Sequence, residues 1–150
     1  MKTFLRAAVS LMISAFAAMA CAPLTFSEPA ALDFATYRAV RVVVVPSFTD
    51  PATATQYLAE QLTLDSGFER VTTNAAERVD LVLSVQVAVT SETDSDGEIE
   101  YASEAEYVAT TPSGELVKRG EEDDRSQSPA EAVEDVLDEI ALRFIRPYRL

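Results

Sequence analysis

The clearest periodic signal in the chain is an alternation of apolar and polar residues over positions 79–89. Every second residue there is Val or Leu, and the residues between them are mostly polar or small. Because successive side chains of a strand point to opposite faces of a sheet, this period of two predicts a half-buried β-strand. Positions 98–110 and 115–120, each preceded by a turn sequence that contains glycine, predict two further strands of a meander.

A strand is also predicted over 38–45, where four consecutive valines form an apolar run without alternation. Such a run is typical of a strand that is covered on both faces or lies centrally in its sheet. Pro46 ends this strand. A short additional strand is predicted over 68–72, and the acidic run 121–124 is predicted to be a loop.

The first helix is predicted over 51–66. Asp50 precedes a proline at the first helical position, which is the preferred arrangement of an N-cap followed by proline. Apolar residues then recur at a spacing of four and form one stripe. Gly67 is predicted to follow the C-cap and end the helix.

The second helix is predicted over 129–145. Ser128 and Glu131 have the spacing of a capping box, and Pro147 is placed to terminate the helix. The apolar stripe with a period of 3.6 consists of Val133, Val136, Leu137, Ile140 and Phe144. The predicted order β-α-β-β-β-β-α indicates an α+β fold, in which two amphipathic helices pack on one face of a single sheet. That sheet is expected to be mixed or mainly antiparallel, with four to five strands.

The first residues of the chain have the organisation of an export signal. Lys2 and Arg6 form a basic head, 7–20 is a run of small or apolar residues broken by two serines, and Cys21 follows directly. This run is shorter than the roughly twenty apolar residues that a membrane-spanning helix needs. A basic head, a short apolar core and small residues before a cleavage site predict a secretory signal peptide over 1–20.

The segment Ala18-Met19-Ala20-Cys21 resembles the lipobox of bacterial lipoprotein signal peptides, although that family prefers Leu where this chain has Ala18. The resemblance implies cleavage before Cys21, a thioether-linked diacylglycerol on its sulfur, and acylation of the new N-terminus. Ala22 is compatible with sorting to the outer membrane. The alternative is an ordinary signal peptide cut after Ala20, which would leave a free thiol. Cys21 is the single cysteine of the chain, so it has no intramolecular disulfide partner.

The predicted organisation is therefore a signal peptide over 1–20, a lipidated tether over 21–36 and one domain over 37–150. Two acyl chains anchor a protein stably in a membrane, where one alone does not. The chain has 12 Lys and Arg against 25 Asp and Glu, and its formal charge of −13 becomes −15 when Lys2 and Arg6 leave with the signal. An acidic chain of this kind lacks the basic residues that nucleic-acid binding requires.

Catalytic chemistry is poorly represented in the sequence. Histidine, the commonest general base and metal ligand, is absent from the chain. There is no Gly-x-Ser-x-Gly motif, and Lys118 is the only lysine outside the predicted signal. We therefore expect a protein that is not an enzyme and carries no cofactor.

The segment 92–97 imitates the first half of a calcium-binding EF-hand loop, with Glu92, Asp94, Asp96 and Gly97 at the corresponding spacing. Position twelve of that pattern is Ser103, which cannot supply a bidentate carboxylate. The flanking segments are predicted strands rather than helices. We therefore expect a solvated hairpin turn and no metal.

A row of carboxylates is predicted along the strand over 98–110. Alternate residues of a strand share one face, so Glu98, Glu100, Glu104 and Glu106 are expected to form a negative stripe. Two interpretations are open: a solvated outer face, or a docking surface for an envelope protein with a basic surface. A paired-carboxylate active site is disfavoured, since no Trp and no aromatic platform accompany the row.

The element order, together with Val42-Val43-Val44-Val45-Pro46, Asp80-Leu81-Val82-Leu83 and Ser113-Gly114, resembles small α/β domains of envelope lipoproteins. Examples are the curli-secretion lipoprotein, the activator lipoproteins of penicillin-binding proteins and the amino-terminal domain of TolB. The resemblance implies a lipid-anchored, periplasm-facing protein with a non-catalytic binding or assembly role. The alternative is a carrier that holds a lipid or small ligand in a groove between helices and sheet.

Overall fold

The computed structural model describes residues 32–145, which form five strands and two helices. In chain order the elements are β1 (Ala39–Pro46), α1 (Pro51–Asp65), β2 (Arg70–Thr72), β3 (Leu81–Thr93), β4 (Ile99–Thr110), β5 (Leu116–Ser126) and α2 (Pro129–Leu142). The strands form one sheet in the order β2-β1-β3-β4-β5. β1 is parallel to both of its neighbours, whereas β3, β4 and β5 form an antiparallel meander. The predicted α+β fold with a single mixed sheet is confirmed.

One face of the sheet is covered by both helices, and the opposite face is exposed. In β1, Val42 and Val44 are at most 1% exposed, whereas Val43 and Val45 are 41% and 57% exposed. The valine run is therefore not covered on both faces; β1 instead lies inside the sheet, between β2 and β3. We call the exposed side the uncovered face. It carries the odd-numbered residues of β1, those of β5 from Arg119 onward, and the even-numbered residues of β3 and β4.

Helix α1 begins and ends close to its predicted limits. The Asp50 carboxylate accepts a hydrogen bond from the backbone N–H of Thr53 at 2.9 Å, which satisfies a donor that the first turn leaves unpaired. Leu58 and Leu62 are fully buried in the stripe that packs on the sheet. The apolar spacing thus determines which side of the helix faces the core.

Helix α2 also begins where its capping sequence predicts and ends three residues earlier than expected. The Ser128 hydroxyl accepts from the backbone N–H of Glu131 at 3.2 Å. The predicted stripe is buried against the sheet. The two helices lie beside each other, since the Tyr57 hydroxyl donates to the Asp138 carboxylate at 3.0 Å.

Gly67 follows the C-cap of α1, as predicted, but its role is a close approach rather than a left-handed turn. A Cβ at this position would lie 2.6 Å from ring carbons of Phe34. The Phe34 ring packs edge-on against Phe68 at a centroid distance of 5.1 Å, and Phe68 packs on Phe144 at 5.9 Å. Glycine is therefore required here because an aromatic ring occupies the space of a side chain.

The folded part of the chain includes residues that the sequence assigns to the tether. Leu32 and Phe34 are 9% and 7% exposed and belong to the same core cluster as the strands and helices. Asp33 accepts backbone hydrogen bonds from Thr36 and Tyr37, which forms a turn just before β1. The packed structure thus extends toward the N-terminus beyond the predicted boundary at residue 37.

The largest difference from the sequence prediction concerns β5. The sequence predicts that this strand ends at residue 120 and that an acidic loop follows over 121–124. The prediction of a loop is wrong, because residues 121–124 belong to β5. β5 continues to Ser126 and pairs with β4 along this length. The run has no apolar alternation, so its extended conformation depends on pairing with the neighbouring strand. The ends of the other strands differ from the prediction by at most four residues.

Candidate functional site

Four carboxylates meet on the uncovered face, two from β4 and two from β5. Glu104 lies directly opposite Asp123, and Glu106 lies directly opposite Glu121. All four residues are exposed. We call Glu104, Glu106, Glu121 and Asp123 the acidic quartet. Directly opposed side chains in an antiparallel pair have Cβ atoms about 4.5–5.5 Å apart, so each pair sets two like charges close together.

The acidic quartet has no ion-pair partner within residues 32–145. Two arginines of β5 lie near it on the same face, Arg119 and Arg125. Arg125 instead contacts Glu92 at 3.4 Å and Glu100 at 3.9 Å. The quartet is therefore a local concentration of negative charge whose carboxylates make no ion pair within residues 32–145, although exposed Arg119 lies two residues from Glu121 on the same face.

The four carboxylates of the predicted row differ in their positions and partners. Glu100, Glu104 and Glu106 do share the uncovered face of β4, but Glu100 is paired with Arg125. Glu98 precedes β4, and its backbone N–H donates to the Asp94 carboxylate at 2.8 Å. Sequence reasoning missed Glu121 and Asp123 because it assigned them to a loop. A run of four acidic residues directly after a predicted strand was the available signal.

A depression of about 1020 Å³ adjoins the acidic quartet. Its lining joins two chemically different areas, with the quartet on one side and Val45 and Pro46 of β1 on the other. Gln86 and Ala88 of β3 lie between them. The surface next to the carboxylates is therefore concave and partly apolar.

A second depression of about 230 Å³ lies where α1 meets β2, and its lining includes Gln56, Glu60 and Thr63. Ligand pockets usually have volumes of about 300–1,000 Å³ and mostly apolar walls. Fully buried side chains, such as those of Leu58 and Leu83, fill the space between the helices and the sheet. This arrangement does not favour the carrier hypothesis, which needs a groove at that place.

The segment 92–97, which imitates half of an EF-hand loop, lies at the hairpin turn between β3 and β4. Asp94 accepts backbone hydrogen bonds from Asp96 at 2.9 Å and from Glu98 at 2.8 Å through the same carboxylate oxygen. Gly97 adopts φ = 83°, a left-handed conformation that glycine tolerates. The carboxylate that would coordinate an ion thus organises the turn. Residues 32–145 contain no group of three or more acidic, His or Cys side chains arranged to hold a metal ion.

On the covered side of β5, Lys118 and Glu122 both contact the end of α2. Arg143 donates two hydrogen bonds to the Glu122 carboxylate, at 2.6 and 3.0 Å, and this contact raises the pKa of Arg143. Lys118 donates to the backbone carbonyl of Arg143 at 2.6 Å and lies 4.8 Å above the centroid of the Phe144 ring. Burial, and then the neighbouring Arg143, lower the pKa of Lys118. These contacts hold the end of α2 against the sheet.

Cys21, the predicted lipidation residue, and the predicted signal peptide over 1–20 lie outside the described residues. Neither helix within residues 32–145 combines the length and apolarity that a membrane span requires.

Comparison with known proteins gives structural matches and no sequence family. No protein-family model matches the chain, and no curated protein matches it in sequence. A PelC variant from Paraburkholderia phytofirmans, described as a dodecamer, is similar with a TM-score of 0.54 and 15% identity, covering 74% of this chain and 88% of PelC.

Two further solved structures are similar. A hypothetical protein from Chlamydia trachomatis has a TM-score of 0.55 and 7% identity, covering 71% of this chain and 95% of that protein. A minor lipoprotein from Acinetobacter baumannii has a TM-score of 0.48 and 13% identity, covering 71% of this chain and 87% of its own, a level that supports no conclusion. At these identities, the PelC variant and the Chlamydia protein show a shared fold alone.

Proposed function

We propose that this chain is a lipid-anchored, periplasm-facing envelope lipoprotein that acts as a non-catalytic binding or assembly accessory. In this proposal Cys21 carries the lipid and holds the domain at the membrane, most suitably the outer membrane, as Ala22 allows. The acidic quartet on the uncovered face then docks an envelope protein with a basic surface. The lipobox-like segment before Cys21 supports the anchor.

The observation that carries the docking proposal is the pair of like-charge contacts across β4 and β5. Like charges directly opposite each other destabilise a strand pair. The fold keeps two such opposed pairs next to each other, Glu104 with Asp123 and Glu106 with Glu121, and none of these carboxylates makes an ion pair within residues 32–145. A basic partner would relieve this repulsion. Its long-range attraction would also speed association.

The non-catalytic part of the proposal is supported by how the reactive side chains are used. The chain has no histidine. Lys118 is engaged by a backbone carbonyl and an aromatic ring. Ser128 caps α2, and Ser103, which is fully buried, donates to the backbone carbonyl of Asp124 at 3.2 Å. Lys118, Ser103 and Ser128 therefore have structural partners, and Ser126, which donates to the Asp135 carboxylate, joins β5 to α2.

The test is partner capture from envelopes of the native cell after crosslinking. The quartet variant carries Glu104→Gln, Glu106→Gln, Glu121→Gln and Asp123→Asn. The matched control variant carries the same change of charge at exposed acids away from the uncovered face, namely Glu60→Gln, Asp65→Asn, Asp96→Asn and Glu134→Gln. Cys21→Ser serves as a separate test of the anchor by intact-mass analysis and fractionation.

We expect the wild type and the control variant to recover the same dominant partner. The quartet variant is expected to recover about tenfold less, a loss of about 1.4 kcal/mol in binding. Crosslinking at high salt should lower the recovery of the partner by the wild type, because screening weakens exposed charge pairs before the crosslink forms. Equal recovery by the quartet variant would contradict docking through this face.

A further inference from the structure

The two edges of the sheet differ greatly in length. β2, at one edge, has three residues, and β5, at the other, has eleven. Among residues 32–145, β5 pairs with β4 on one side, and no strand pairs with its outer side. The outer N–H and C=O groups of a long edge strand form a template on which another strand can pair. β5 thus offers such a template directly beside the acidic quartet.

The charges of β5 argue against a second copy of this chain as the strand that pairs there. Positions 121–124 are all acidic and lie near the middle of the strand. Two copies joined antiparallel about a twofold axis through this run would set these residues opposite each other. Directly opposed like charges are destabilising. Pairing between two copies of β5 is therefore unfavourable, and pairing with a strand of opposite charge is favoured.

The acidic residues 121–124 of β5 divide between the two sides of the sheet, and Asp124, on the covered side, accepts a hydrogen bond from the backbone N–H of Arg125 at 2.7 Å. Glu121 and Asp123 face the uncovered side and have no ion pair within residues 32–145, whereas Glu122 faces the covered side and is held by Arg143. A strand paired with β5 would place every second side chain on the uncovered side. Two basic residues separated by one residue would therefore lie beside Glu121 and Asp123.

We propose that the outer edge of β5 binds an extended basic segment of a partner protein by strand addition, with Lys or Arg at alternate positions facing the acidic quartet. This inference rests on the proposed function, since the same carboxylates take part. It adds the conformation of the bound segment and the spacing of its charges. Backbone hydrogen bonds supply affinity in this mode of recognition, and the alternate side chains supply specificity.

The experiment uses three synthetic peptides and the full chain purified in mild detergent. Each peptide has eleven residues, the length of β5. The first alternates Lys and Thr, and the second has the same composition with its lysines in one block. The third alternates Lys and Thr but is N-methylated through its centre, which removes backbone donors and keeps the charge. Fluorescence anisotropy measures binding, and amide hydrogen exchange is followed over 116–126.

We expect the alternating peptide to bind best and to slow amide exchange in 116–126. The N-methylated peptide should bind about tenfold more weakly, since it loses the backbone hydrogen bonds that strand addition requires. The block peptide should also bind more weakly, because half of its lysines would face the covered side. The quartet variant should lose most binding of the alternating peptide.

Equal binding of the N-methylated and alternating peptides, with loss in the quartet variant, would overturn strand addition and leave docking through the face intact. Unchanged exchange in 116–126 on binding would overturn strand addition as well. Binding that is the same in the quartet variant would count against both proposals. If no peptide binds, the strand-addition proposal is wrong, and partner capture from envelopes alone decides the proposed function.

Discussion

The two faces of the sheet differ in the burial and charge of their side chains. On the covered face, Leu83 and Val85 are at most 1% exposed and pack against two helices. On the uncovered face, the neighbouring positions Ser84 and Gln86 are exposed, and the acidic quartet lies on the next two strands, β4 and β5. Stability therefore depends on one face. The other tolerates an arrangement of charges that weakens the fold, which is why we assign the function to it.

The first and largest contrast is between an aromatic core residue and an exposed valine. Phe144 is fully buried and contacts Phe68 and Tyr107. Phe144→Ala should lower the free energy of unfolding by about 3–5 kcal/mol, because it removes buried apolar surface and leaves a cavity. Val45→Ala, on the uncovered face, should change it by less than about 0.5 kcal/mol. Chemical denaturation of both variants measures the difference, and similar losses would contradict the two-face description.

The second prediction compares Gly67→Ala in the wild type with the same change in a Phe34→Ala background. Gly67→Ala should destabilise the protein by about 1–3 kcal/mol, because the added methyl group would overlap the ring of Phe34. In a Phe34→Ala background the same change should cost much less, since the ring is gone. Additive effects in this double-mutant cycle would show that the two residues are not in contact.

The third prediction concerns the acidic quartet and has the opposite sign. Neutralising the four carboxylates should raise the free energy of unfolding by about 0.5–2 kcal/mol at low salt, because two like-charge contacts are removed. Added salt should reduce this gain. The control variant, with the same change in net charge, should gain less. A quartet variant that is less stable than the wild type would mean that these residues serve the fold.

The smallest effect is expected at alkaline pH, at the contact between the two helices. Burial, and then the hydrogen bond to Asp138, raise the pKa of Tyr57 above its ordinary value of 10.0. A group with a raised folded-state pKa contributes stability that is fully present below its unfolded value and is lost as pH rises above it. Unfolding measured from pH 9 to 11 should therefore show falling stability in the wild type. Tyr57→Phe should show a shallower decline, and an identical slope would contradict this role.

Sequence reasoning succeeded where the determinant is local. The alternation in β3 and the capping residues Asp50 and Ser128 each act within a few positions, and each element was found close to its predicted place. Gly67 was found but explained wrongly, because the ring that requires it belongs to Phe34, far away in the chain. Leu32 carries no periodic signal, and its burial follows only from the assembled core.

The candidate site was predicted in part for the same reason. Glu104 and Glu106 could be placed on one face of β4 from their spacing alone. Glu121 and Asp123 could not be added, since their strand conformation depends on pairing with β4 rather than on their own sequence. The distinction between paired Glu100 and the unpaired quartet depends on where Arg125 lies, which spacing does not reveal.

Carboxylate footprinting by carbodiimide labelling and mass spectrometry tests the central claim most directly. It compares labelling of Glu104, Glu106, Glu121 and Asp123 in intact native envelopes with labelling in the purified full chain. Exposed acids elsewhere, Glu60, Asp65, Asp96 and Glu134, serve as internal controls. We expect the acidic quartet to be labelled much less in envelopes, while the controls are labelled equally in both. Equal labelling of the quartet in both preparations would contradict docking through the uncovered face.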